Sequence, residues 1–381
     1  MTRSIDHIQH HVGVPVKIWV LAPDVECNDE QLDYYYDFTQ SIQEYTRTFE
    51  SMGLHWVWQP VTIHSFPGVL DTIKKEQLDG ISFPMVLNLC DGDEINGAPG
   101  ISVVRSLESL DVVYTGADAF FYDITTSKIR MKRAFDAESV PHAPWLPIYN
   151  INEVPDAIFE TVGRPIIVKP AVSGGSMGVG VRNVVETPNA LREITNTLFA
   201  GYRGWNLAID GLVAEQFITG REFTVFLTGS HQHQENILIY TPVERVFHPS
   251  LAEKERFLSF DRLWEIYETE SAMPEQQHFY EYAMPENALI EPLKKISLDA
   301  FMATRGTGYA RVDIRQDAQT GKLFILEINA QCGISDDEDY TSIGAILSFS
   351  KKTFSQLIIE LLQDAYRRFL DKTITSAPFR S

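Results

Sequence analysis

Residues 309–331 read YARVDIRQDAQTGKLFILEINAQ, two apolar stretches with charged residues set inside them. The stretches YARVDIR (309–315) and KLFILEINAQ (322–331) predict buried strands. Side chains alternate along a strand, so Arg311 and Asp313 share one face, and so do Glu327 and Asn329. Asp and Glu are seldom buried without a partner, yet here they interrupt runs of Leu, Ile and Val. Two carboxylates and an amide oxygen are hard donors that suit Mg²⁺ held together with substrate phosphates. A buried Arg–Asp–Glu ion-pair network without metal fits the same residues.

Upstream, IIVKP (166–170) predicts a strand and SGGSMGVG (173–180) follows with four glycines in eight residues. VRNVV then returns to strand. A Gly-rich turn between two strands is a hairpin, and the Walker A pattern is absent. Glycines let backbone N–H groups approach phosphate oxygens closely. Lys169 ends the preceding strand, and Lys128 lies on an earlier basic helix, SKIRMKRAFDAESV. In EQFITGREF, Glu215 and Glu222 flank a Gly turn between LVAEQFI (212–218) and EFTVFLTG (222–229). A hinge strand there could offer backbone groups to adenine and Glu222 could accept from ribose hydroxyls; two exposed turn carboxylates are the plainer alternative.

The first third alternates strand and helix. VKIWVLA (16–22), HWVWQPV (55–61), MVLNL (85–89) and VVYTG (112–116) are strands. Helices are expected from Tyr36 to Met52, near 67–76 and over 100–110. This order predicts an α/β parallel sheet with ligands at the strand C-terminal ends. Residues 244–290 show weak periodicity and are expected to be loop with short helices, and one closing helix is expected over about 343–370.

The chain has 381 residues, 44% apolar and 22% charged, which excludes disorder, collagen and small disulfide scaffolds. Its formal charge of −20 disfavours nucleic acid and anionic membranes as partners. Three separated cysteines, Cys27, Cys90 and Cys332, with no signal-peptide core and no run of about 18 apolar residues, point to the cytoplasm. His7, His10 and His11 have helical spacing but are expected in an exposed tail.

Taken in order, Lys128, IIVKP, SGGSMGVG, AEQFITGREF, ARVD and LEINAQCG resemble the ATP-grasp superfamily, specifically its D-alanine–D-alanine ligase branch. VLNLCDG (86–92) and YTGA (114–117) match that branch's first-domain signatures. The resemblance implies an N-terminal α/β domain (1–125), a central α+β ATP-grasp domain with a Gly-rich lid (126–216) and a C-terminal ATP-grasp domain with the metal site (217–381). It implies Lys128 and Lys169 as phosphate contacts, with Gly174, Gly175, Ser176, Met177 and Gly178 as the loop closing over the triphosphate. Glu215, Gln216 and Ile218 would form the adenine hinge, Leu326 would pack near the base and Glu222 would bind ribose. Asp313, Glu327 and Asn329 would hold two Mg²⁺ ions, with Mn²⁺ as a substitute. Arg311 would stabilise the acyl-phosphate and tetrahedral intermediate, with Ser176 and Gly333 also at the reacting centre. The implied reaction joins a small-molecule carboxylate to an amine with ATP, and dimers are common among the proteins it resembles.

Three departures separate the chain from that pattern. After the first strand, LAPDVECNDEQLDYYYD lacks the family's Gly-rich segment with its ammonium-binding glutamate, leaving Asp24 and Glu26 as conceivable substitutes. Gly175 stands at the family's supporting serine. After Cys332-Gly333, SDDED puts Glu338 where the family has a serine for the second substrate's carboxylate, which Glu338 would repel. The expectation is therefore a ligase whose substrates are not two D-alanines. A true D-alanine–D-alanine ligase and a non-catalytic ATP-binding regulatory protein are the alternatives.

Overall fold

A computed structural model describes residues 5–25, 37–154, 157–202, 204–273 and 277–376. Strands β1 (Val16–Pro23), β2 (His55–Val61), β3 (Phe83–Asn88) and β4 (Val113–Tyr114) form a parallel sheet in the order β2-β1-β3-β4. β1 and β3 are nearly continuous apolar runs because both faces of the sheet are covered. Helices Thr39–Ser51, Phe66–Asp79 and Ile101–Ser109 make the crossovers. One face packs on the C-terminal helix, where Val20, Leu87, Leu357 and Leu361 share a core with Phe226 and Tyr309.

A second sheet holds β5 (Trp145–Ile148), β6 (Ile166–Pro170), β7 (Val184–Val185) and β8 (Leu212–Gln216), antiparallel in the order β5-β8-β6-β7. The Gly-rich stretch joins β6 to β7, the hairpin its sequence predicts.

The third sheet contains β9 (Gly220–Ser230), β10 (Leu238–Ile239), β11 (Val243–Phe247), β12 (Tyr280–Ala283), β13 (Thr307–Asp317) and β14 (Leu323–Ala330). Its antiparallel order is β12-β11-β9-β13-β14, with β10 on β9. Helix Asn287–Ala303 lays Leu293, Ile296, Ala300 and Phe301 on it, residues spaced three, four and one apart that form one apolar stripe.

Three expectations need correction. Residues 244–290 contain β11, β12 and the start of that helix as well as loop. In β11 the buried positions are Val243, Arg245 and Phe247, so the alternation is intact but a charge occupies its middle core position. The closing helix is also two, Ser342–Ser350 and Phe354–Ser376. Lys351 turns left-handed at φ 53° and the next helix starts with a reciprocal cap: Thr353 N donates to Gln356 Oε1 at 2.9 Å, and Gln356 N to Thr353 Oγ1 at 3.2 Å. The N-terminal histidines lie on helix Asp6–Val12, and His11 Nδ1 meets the Tyr366 hydroxyl at 2.6 Å, so this segment is docked and not a loose tail.

Buried Gln331, just past β14, joins the first and third sheets. Its Oε1 accepts from Ala117 N at 2.8 Å and its Nε2 donates to Asn88 O at 3.0 Å. Gly116 makes room for it, since a Cβ there would lie 1.6 Å from Gln331 Oε1. The YTGA and LEINAQ motifs are thus two halves of one contact, which brings the C-terminal ends of the parallel strands to the end of β14. No helix among the described residues is long and apolar enough to cross a membrane.

Candidate active site

Residues from all three sheets line one cavity of about 730 Å³. Its acidic wall is the β13–β14 pair. Antiparallel register sets Arg311 opposite Asn329 and Asp313 opposite Glu327. The register slips after Asp313, where Ile314 pairs with Ile325 and leaves Leu326 as a bulge. Strict alternation would turn Leu326 away from Glu327's face; the bulge lets both line the cavity.

Arg311 Nη2 sits 2.9 Å from Asp313 Oδ2, and its Nε donates to the same carboxylate at 3.2 Å. Asn329 Nδ2 donates to Asp313 Oδ2 at 3.1 Å and to Glu327 Oε1 at 3.3 Å. Lys128 Nζ, from helix Lys128–Glu138, lies 3.4 Å from Glu327 Oε2. Burial pushes the Glu327 carboxyl up, but Lys128, Lys169 and Arg311 outweigh it and hold the pKa at about 2.

On the other side, Glu215 is held between two lysines, with Lys169 Nζ at 2.6 Å from Oε1 and Lys132 Nζ at 2.5 Å from Oε2. Burial raises the Glu215 pKa, and Lys132 and Lys169 reverse this to bring it to about 2. Lys132, only 1% exposed, was missed from sequence. The signal was there: it follows Lys128 by four residues, one helical turn along the same face.

Glu222 carries one arginine on each oxygen, Arg245 and Arg315, and all three side chains are buried. Burial raises its pKa and the two arginines lower it further than burial raises it. The exposed-turn alternative is therefore excluded for both glutamates. Arg245 stacks against Tyr280 and Tyr282 at 5.3 and 5.7 Å. Neither arginine was singled out from sequence; Arg315 shares the strand face of Arg311 and Asp313, whereas Arg245 has no readable motif.

Gly174, Gly175, Ser176, Gln216, Ile218 and Gly333 line the cavity. Met177 and Gly178 do not. Met177 buries its thioether in the core of the second sheet and donates its N–H to Gly174 O at 3.0 Å, so that amide is already used. Gly178 faces Leu207 and Pro170, which a Cβ would meet at 2.8 and 3.0 Å. The loop is strapped from outside by the segment between β11 and β12: Trp264 Nε1 donates to Gly175 O at 2.8 Å, Phe260 N to Val179 O at 2.8 Å and Val181 N to Glu270 Oε1 at 2.8 Å.

Glu338 also departs from expectation. It lines a separate hollow with Arg47 and Lys352, while the hydroxyl residues Ser335, Thr341 and Ser342 line the main cavity. Asp24 is exposed and off the cavity, and Glu26 lies outside the described residues. Cys332 lines the cavity beside Gly333, where burial pushes its thiol up to about 12.

The wall at Asp313, Glu327 and Asn329 fits a hard divalent ion, because three oxygen-bearing side chains converge on one cavity face with cations already balancing them. No group of three or more His, Cys, Asp or Glu that could hold a metal occurs among the described residues. An ion here must complete its shell with ligand oxygens, the habit of Mg²⁺.

The family model of the D-ala D-ala ligase C-terminus matches residues 137–363. A D-alanine–D-alanine ligase from Xanthomonas axonopodis pv. citri is 28% identical over 292 residues, covering 72% of this chain and 81% of that protein. An uncharacterised protein from Sinorhizobium fredii is also 28% identical, over 76% of this chain and 77% of its own. Among solved structures, a D-alanine–D-alanine ligase from Bacillus anthracis complexed with ATP has a TM-score of 0.64 at 17% identity, covering 93% of this chain and 99% of that one. This likeness shows a shared ATP-grasp fold.

Proposed function

Since the chain belongs to the D-alanine–D-alanine ligase family of ATP-grasp enzymes, we propose that it joins a small-molecule carboxylate to an amine through an acyl-phosphate, releasing ADP and phosphate. The observation that carries this reading is the set of Arg311, Asp313, Glu327 and Asn329 on one wall with Lys128 and Lys169 nearby. ATP binding alone does not call for Arg311. The units 1–125, 126–216 and 217–381 would meet at this cavity.

In this reading Lys128 and Lys169 contact the phosphates, together with the amides at Gly174, Gly175 and Ser176. Gln216 and Ile218 offer backbone groups to adenine, Leu326 packs near the base and Glu222 accepts from ribose. Asp313, Glu327 and Asn329 would hold Mg²⁺, which supplies positive charge against the phosphate oxygens. The substrate carboxylate attacks the γ-phosphate and ADP departs. The amine then attacks the acyl carbon, and the Arg311 guanidinium neutralises the oxyanion as phosphate leaves. A closed Gly-rich loop keeps water from the acyl-phosphate.

The substrate pair is read as other than two D-alanines, on the segment after β1 and on Gly175. The argument from Glu338 falls away with its position, and the hydroxyls of Ser335, Thr341 and Ser342 favour a second reading, a D-alanine–D-alanine ligase proper, because they can receive a carboxylate-bearing amine. ADP release should require a carboxylate and an amine together, with the amide seen by mass spectrometry. Turnover of D-alanine alone at ordinary ligase rates would establish the second reading, and ATP binding without turnover of any pair would leave only a nucleotide-binding protein.

A further inference from the structure

Glu222 on β9 faces Arg245 on β11 to one side and Arg315 on β13 to the other, so two guanidiniums share one carboxylate and leave a positive charge in excess. The two arginines are not equivalent. Arg315 is tied to the backbone as well: its Nη1 donates to Ile218 O at 3.2 Å and its Nη2 to Arg256 O at 2.9 Å. Arg245 gives only its Nη1, to Glu222. Its Nε is buried without a partner, and its Nη2 has none among the described residues.

Arg245 is 3% exposed and yet lines the cavity. Tyr280 and Tyr282 back it, their rings edge-on to each other at 5.3 Å, and the Tyr280 hydroxyl is anchored on Tyr340 O at 3.2 Å. Burial works against the Arg245 charge, but Tyr282, Glu222 and Asp313 reverse this and hold the guanidinium protonated. Arg311 in turn feels that charge, so Arg245 stands between Glu222 and the Asp313–Arg311 pair. A charged fork held rigidly in a cavity with donors unmatched is a receptor for an anion.

Resting on the ligase reading above, we propose that Arg245 contacts the triphosphate of ATP directly, adding a cation from the third sheet to Lys128 and Lys169. In that reading ribose is held at Glu222 and the metal at Asp313, and the phosphate chain must run from one to the other. Arg245 is the cation that faces both. Glu222 then serves the nucleotide twice, accepting from ribose and aiming the Arg245 fork at the phosphates.

Adenosine separates this role from a merely structural one, because it has the base and ribose of ATP but no phosphate. Binding of ATP with Mg²⁺ to the full chain is measured by calorimetry, and adenosine by competition against it. In Arg245→Gln, whose amide can still donate to Glu222, Kd for ATP should rise at least about tenfold while Kd for adenosine stays within about twofold. Arg245→Lys keeps a cation on Glu222 and carries the test if the first variant does not fold. It offers a point charge in place of a fork and should give the same split at smaller size. Equal losses for ATP and adenosine would show that Arg245 acts only by holding Glu222, and unchanged ATP affinity would show no phosphate contact; either overturns the assignment. A wild-type protein that binds neither ligand would overturn the ligase reading itself and the role of Arg245 with it.

Discussion

Lys169 Nζ lies 2.6 Å from Glu215 Oε1, across the β6–β8 pair and with Lys132 on the other carboxylate oxygen. The glutamate at the expected adenine hinge is therefore also what aims Lys169, the proposed phosphate contact. Glu215→Gln would leave two lysine charges, one of them fully buried, without their counter-ion. Breaking a buried pair in this way costs about 3–5 kcal/mol. Urea unfolding should show that loss, and KM for ATP should rise even though a glutamine fits the space.

The same carboxylate gives a pH signature. Its folded pKa is about 2 against an ordinary 4.5, so its stabilising contribution is full above pH 4.5 and is lost as pH falls toward 2. The amount is on the order of 3 kcal/mol. The difference in unfolding free energy between the wild type and Glu215→Gln should be flat above about pH 5 and shrink on acidification. A difference that grows as pH falls would contradict the assignment.

Divalent-ion dependence should follow Asp313. Removal of metal with a chelator is expected to stop ADP release and Mg²⁺ to restore it. Asp313→Asn should move the Mg²⁺ concentration needed for half-activity upward by about tenfold or more, while thermal unfolding without metal changes far less. Unchanged Mg²⁺ dependence in this variant would favour the plain ion-pair network.

Closure of the Gly-rich loop should depend on Trp264, whose indole N–H meets Gly175 O at 2.8 Å. Trp264→Phe keeps the ring and removes the donor, a change worth about 1 kcal/mol. KM for ATP is expected to rise about fivefold, and limited proteolysis should cut more readily within residues 173–180. Equal protease resistance in the two proteins would show that the strap does not hold the loop.

Residue order alone determined the architecture and much of the site. The alternation of charged and apolar residues in 309–315, the glycines of 173–180 and the strand–helix alternation before residue 116 are local patterns, and strand geometry converts them directly into faces and turns. Partnerships were another matter. Nothing local says that Arg245 and Arg315 close on Glu222, that Gln331 fills the space over Gly116, or that the Leu326 bulge brings it beside Glu327. Each joins residues far apart in the chain or depends on a register slip, and a buried charge reads as a surface charge until its counter-ion is in place. Glu338 makes the same point: spacing put it in the cavity, and the fold sets it in a separate hollow with Arg47 and Lys352. Its displacement reflects loop paths set by packing between sheets, which side-chain periodicity does not encode.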